Sequence, residues 1–155
     1  MSDNYAKIVK DNIERLYRNL PEDLARALPA DQSGDRFVFE AFGERCEIQP
    51  DGIFLGDMPQ TGVIGILISL YALHARPEPS VLEPFKAFKD LPNSMPYAGA
   101  FVSHTQQMLV PHVESIIKAG NRIVEQLRGQ KAPASVEGDY AFVGYPITHI
   151  ELFYI

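Results

Sequence analysis

The sequence predicts an α+β fold, a small antiparallel sheet covered by a buried helix and a longer amphipathic one. Three observations carry this. Apolar residues recur at helical spacing over the first twenty positions and again over 98–127, the period drops to two between Phe37 and Leu55, and an apolar run stands at Thr61–Ala75. The chain has 155 residues, 46% of them hydrophobic, and can close one core that buries roughly 70% of the surface its unfolded form exposes. Residues 1–155 therefore read as a single domain.

From Tyr5, the residues Ile8, Val9, Ile13, Leu16, Tyr17 and Leu20 form a stripe opposite Lys7, Lys10, Asp11, Glu14, Arg15 and Arg18, which predicts an amphipathic helix. Ser2 or Asp3 caps its start, and Asp11/Arg15 and Glu14/Arg18 stand at ion-pair spacing. Pro21 stops it and opens a short second helix, Glu22 to about Leu28. After the polar break Asp31–Asp35, Phe37, Phe39 and Ala41 alternate with Val38, Glu40 and Phe42. Turns at Gly43-Glu44 and at Pro50-Asp-Gly52 fold Arg45–Gln49 and Ile53–Leu55 back, giving a three-stranded meander.

Thr61 is the expected N-cap of the buried helix, Gly62 and Gly65 let that helix approach its neighbours, and the proline-rich Arg76–Ser80 ends it. The segment Val81–Tyr97 carries Pro84, Pro92 and Pro96 with Phe85, Phe88 and Tyr97, which need packing partners. It is expected to lie folded against the core and to line any site. Helical spacing then runs from Ala98 to Leu127, re-initiated or kinked at Pro111, with Gly129 as its stop. A linker, Gln130–Ser135, leads into two β-rich segments, Tyr140–Tyr145 and, past Pro146, Ile147–Ile155.

A formal charge of −6 repels a phosphate backbone, so nucleic acid is excluded as a partner. The basic positions Lys118, Arg122, Arg128 and Lys131 read as a solvated helix end. Cys46 is alone, which rules out an intrachain disulfide and any cluster built from this chain's own thiolates, and fits a reducing compartment. The amino terminus lacks the basic and apolar regions of a signal peptide, and Thr61–Ala75 is shorter than the roughly 20 residues that cross a bilayer. A soluble, cytoplasmic protein with no membrane partner is expected.

The run Ile64-Gly-Ile-Leu-Ile-Ser-Leu-Tyr-Ala-Leu, the segment Phe85-Lys-Ala-Phe-Lys-Asp-Leu-Pro92 leading to Tyr97 and Phe101, and the late Gly138-Asp-Tyr-Ala-Phe142 together resemble an uncharacterised family. This is the bacterial and archaeal group called domain of unknown function 3786, and the likeness spans roughly Leu55 to the end. The resemblance implies an accessory role near anaerobic redox or cofactor metabolism, since some members are joined to iron–sulfur domains, and it assigns no catalytic residue. Members tend to continue with an acidic, aromatic segment, whereas this chain stops at Leu152-Phe-Tyr-Ile155 in what reads as mid-strand.

No phosphate loop, dinucleotide fingerprint, nucleophile elbow or His-Glu-x-x-His is present, and the sequence names no cofactor. On a strand Ile147–Ile155, His149 and Glu151 share a face, where a carboxylate can orient an imidazole. Cys46 reads as a small buried residue, and Asp90 as a turn residue with some binding chemistry. The reading that follows is a non-catalytic accessory domain binding a small molecule or a partner protein, with Tyr97, His149 and Glu151 supplying polar contacts where Glu83–Tyr97 meets the last strands. The enzyme alternative is a metal-dependent hydrolase drawing ligands from His104, His112, His149 and Glu151. The apolar end Ile150–Ile155 leaves no polar tail to shield an edge, so a strand Ile147–Ile155 is expected either to be covered or to form a homodimer through the C-terminal strand.

Overall fold

The structure is a computed structural model that describes residues 2–79, 81, 84–132 and 140–155. The expected Ser2 or Asp3 cap, Glu83 and the Gly138-Asp139 pair lie outside what is described. The fold is α+β, and the chain divides into two compact units: Met1–Ser80 with Pro146–Ile150, and Val81–Tyr145 with Glu151–Ile155.

In the first unit, helix α1 (Ser2–Arg18) follows the predicted stripe, with Val9, Ile13 and Leu16 buried beside the polar Asn12. Neither expected ion pair closes; Glu14 reaches back to Lys10 at 3.9 Å on an exposed face instead of forward to Arg18. Tyr17 ties the helix to the sheet by donating its hydroxyl to the carbonyls of Asp35 and Ile48. The turn of helix α2 (Leu24–Ala27) buries Leu24 and Ala27.

The sheet exceeds the predicted meander. Strands β1 (Asp31–Ser33), β2 (Arg36–Ala41), β3 (Glu44–Gln49), β4 (Gly52–Leu55) and β5 (Met58–Pro59) each pair antiparallel with the next. The polar break is itself a strand, fully exposed, and only Gly34-Asp35 turns. Between β2 and β3 the turn is one residue earlier than expected, since Ala41 pairs with Glu44 and leaves Phe42-Gly43 as the loop. Both loop residues have positive φ, +54° and +76°, as a two-residue hairpin that follows the strand twist requires. Phe42 tolerates this conformation because its ring packs on the core and its N–H donates to the Pro146 carbonyl.

Helix α3 (Val63–His74) starts later than expected, with Gly62 as N-cap and no side-chain cap from Thr61. It is buried on one face only. Gly65, Ile68, Ser69 and Ala72 are inside, while Val63, Ile64, Leu67 and Leu70 are 39–56% exposed among the described residues. Gly65 does permit close approach, because a Cβ there would collide with the Gln60 carbonyl and stand 3.1 Å from Val9 Cγ2. The core joins α1, α2 and α3 to the inward faces of β2, β3 and β4 through Phe37, Phe39, Cys46, Ile48, Ile53 and Leu55. Its last member comes from far along the chain: Ile147 is 4% exposed and pairs with Ala41.

In the second unit, 3₁₀ turns at Phe88–Asp90 and Met95–Tyr97 lead into helix α4 (Ala98–Phe101), a π turn (Val102–Gln106) and helix α5 (Gln107–Leu109). Pro111 sits in a 3₁₀ turn, Val110–His112, and re-initiates helix α6 (Val113–Gln126). After α6 the left-handed residue is Arg128, at φ +52°, and the Gly129 N–H returns to the Val124 carbonyl. The expected linker begins with a short strand, β6 (Gln130–Lys131), paired with β7 (Phe142–Ile147), and β7 pairs with β8 (Ile150–Tyr154). Pro146 therefore does not separate two strands. β7 runs through it, and the chain turns at Thr148-His149 instead.

Candidate functional site

Among the proposed polar contacts Tyr97, His149 and Glu151, a side-chain hydrogen bond is seen at Glu151. Glu151 lies in β8, and its Oε1 accepts a hydrogen bond of 2.8 Å from the hydroxyl of Tyr145 in β7. That bond, then burial, then the carboxylate's charge raise the Tyr145 pKa above its ordinary 10.0, so the phenol stays protonated and acts as the donor. The other carboxylate oxygen, Oε2, is buried and finds no partner among the described residues. A buried acceptor left in this state costs about 1–3 kcal/mol, a cost that an incoming N–H or O–H can remove.

Alternation along β8 places Phe153 on the same face as Glu151 and Tyr154 on the other. Phe153 stacks on Phe85 with ring centroids 4.7 Å apart, and Tyr154 stacks on Phe142 at 4.6 Å. A carboxylate beside an aromatic wall is chemistry that receives an organic cation, since the aromatic face and the anion act in the same direction. The stacking also covers Phe153 and Tyr154 within their own unit.

The other expected site residues behave differently. His149 is not on a strand face with Glu151; it is exposed in the turn before β8 with φ +68°. That conformation is uncommon for a residue with a side chain and is met at the last position of short hairpin loops. Tyr97 ends a 3₁₀ turn with 64% of its surface exposed, so it does not pack as expected, whereas Phe88 does, stacking on Phe101 at 4.4 Å. His104 lies in the π turn and His112 in the 3₁₀ turn at Pro111, both exposed. Among the described residues no three His, Cys, Asp or Glu side chains gather as metal ligands.

Cys46 is fully buried in β3, and burial, with the Glu47 charge second, pushes its thiol to about 12. Arg45 and Glu47 project from the opposite face, where Glu47 holds Arg36 at 2.9 Å and Arg45 at 3.1 Å. The thiol is a packing group. Tyr145 is the residue that reasoning from sequence missed. Had the turn been read at Thr148-His149, the two flanking segments would have been set side by side as one hairpin, which brings Tyr145 within reach of Glu151.

A family model described as Domain of unknown function (DUF3786) matches residues 20–155. No curated protein and no solved structure matches the chain. No helix among the described residues is long and apolar enough to cross a membrane.

Proposed function

The chain belongs to the DUF3786 family, and from that premise we propose that it is a non-catalytic accessory domain that binds a small molecule or a basic group of a partner protein. The observation that carries this reading is the buried Oε2 of Glu151, without a partner among the described residues, beside the Tyr145 hydroxyl and the Phe85–Phe153 stack. One acceptor and one phenol beside an apolar wall suit recognition of an ammonium or guanidinium group. They supply neither a nucleophile activated by a base nor a metal.

The domain acts in the cytoplasm on this reading, in keeping with its single buried cysteine. β8 has β7 as its only strand partner among the described residues, and Ile150, Leu152 and Ile155 are 37–75% exposed, which favours a second copy along that edge. Light scattering on the full chain tests this, and a stable monomer would count against the dimer.

The binding site is tested by two-dimensional amide NMR with butylammonium, butylguanidinium and, as the opposite charge, butyrate. The cations should shift the amides around Tyr145, Glu151 and Phe153, and Glu151→Gln should abolish those shifts while Tyr145→Phe weakens them. Equal response to butyrate, or unchanged cation response in Glu151→Gln, would refute the reading.

A further inference from the structure

The first unit holds a depression of about 300 Å³ lined by Arg15, Leu16, Arg18, Asn19, Pro21 and Leu73. It lies where the last turn of α1 meets the last turn of α3. The polar part of the lining is two guanidiniums and an amide; the apolar part is Leu16, Pro21 and Leu73. Both arginines are exposed, and neither makes an ion pair or hydrogen bond with any described residue. Their i,i−4 acids do not neutralise them, since Glu14 is committed to Lys10 and no pair forms between Asp11 and Arg15.

Two arginines near a helix C-terminus have an ordinary role, which is to complement the carbonyl end of the dipole. That role accounts for only part of the charge. A helix end carries roughly half a negative charge, so the ends of α1 and α3 together offset about one of the two positive charges. About one positive charge remains, beside the apolar side chains of Pro21 and Leu73, on a protein whose net charge is −6. The volume is at the lower end of what small-molecule sites occupy, about 300–1,000 Å³.

We propose that this depression is a binding site for a small organic oxyanion, a carboxylate or phosphate monoester, with a short apolar tail. The two guanidinium forks and the Asn19 amide supply donors to the anionic oxygens, for which planar arginine is better suited than lysine. The tail lies against Leu16, Pro21 and Leu73. Because the arginines are solvent-exposed, binding weakens as salt rises. The proposal does not rest on the Glu151 site, which takes the opposite charge and belongs to the other unit.

The test is a titration of the full chain at low salt, followed by amide NMR, with hexanoate, hexyl phosphate and hexylammonium as probes. One or both anions should shift the amides of residues 15–20 and 73, and the stronger of the two identifies the headgroup. The double variant Arg15→Gln/Arg18→Gln should lose at least about fivefold in affinity. The exposed single variants Arg15→Gln and Arg18→Gln, checked by circular dichroism, keep the test decisive if the double variant folds poorly. No anion-dependent shift at millimolar concentration, an equal response to hexylammonium, or undiminished binding in both single variants and the double would overturn the proposal.

Discussion

Replacing Ser69 with alanine tests how the two long helices of the first unit are joined. The Asn12 amide donates to Ser69 Oγ across 3.0 Å, and Ser69 in turn donates to the Ile66 carbonyl at 2.9 Å. Both side chains are inside, at 6% and 1% exposure. The substitution removes the acceptor and leaves the Asn12 amide buried against apolar neighbours, a loss of about 1–3 kcal/mol. The Ile66 carbonyl is less affected, because it lies within the helix ladder. In a chain of this length each kcal/mol lowers Tm by about 2–4 °C. Urea and thermal unfolding followed by circular dichroism should therefore show a clear loss for Ser69→Ala. The companion Asn12→Leu/Ser69→Ala removes both polar partners and should recover most of the loss, since deleting a matched pair is nearly neutral. A Ser69→Ala protein within about 0.5 kcal/mol of the parent, the range of ordinary surface substitutions, would show that this bond does not hold α1 to α3. Strict additivity in the double variant would refute the pairing itself.

Gly65→Ala should be at least as damaging, about 2 kcal/mol or more by overpacking, because the new methyl meets the Gln60 carbonyl and the Val9 side chain; a small-to-large change with no effect on unfolding would refute the close approach. The native thiol of Cys46 should be inert to alkylating reagents at pH 8 and react only on unfolding, and rapid native labelling would show that β3 opens. Stability should also fall in alkali. Cys46, Tyr17 and Tyr71 each have a folded pKa of about 12 against ordinary values of 9.0, 10.0 and 10.0. The unfolded chain therefore releases these protons first, and their stabilisation is complete below about pH 9 and lost between there and pH 12. Denaturation midpoints measured from pH 8 to 11 should decline, and a flat profile would contradict the burial of these groups.

Much of the first unit was legible in the sequence because its periodicity is clean. Val9, Ile13 and Leu16 at the centre of the α1 stripe and the alternation Phe37, Phe39, Ala41 are buried in the structure. Strand β1 was not legible, since both faces of Asp31–Ser33 are solvated and leave no alternation to read. Nor was the half-exposed state of α3, because a run apolar on all sides does not say which side finds a neighbour. The end of the chain was misread at Pro146. A proline lacks the N–H but keeps its carbonyl, and that is the group the structure uses there, as acceptor for Phe42. The true turn, Thr148-His149, contains no glycine, asparagine or proline to announce it. Shifting the turn moved His149 off the strand and gave Glu151 its neighbour Tyr145, so the candidate site was legible in one residue only.

The first unit is not a continuous stretch of chain, and this orders events during synthesis. Its helices and β1–β5 are complete once Ser80 has been made, and their hairpins join near neighbours. The place beside Ala41 stays empty until Pro146 and Ile147 exist. At roughly 5–20 residues per second, several seconds separate the two points on a ribosome. Throughout that interval the nascent unit presents an unpaired end of β2 and a gap in its core, which a chaperone or a second nascent chain can reach before residue 147 does.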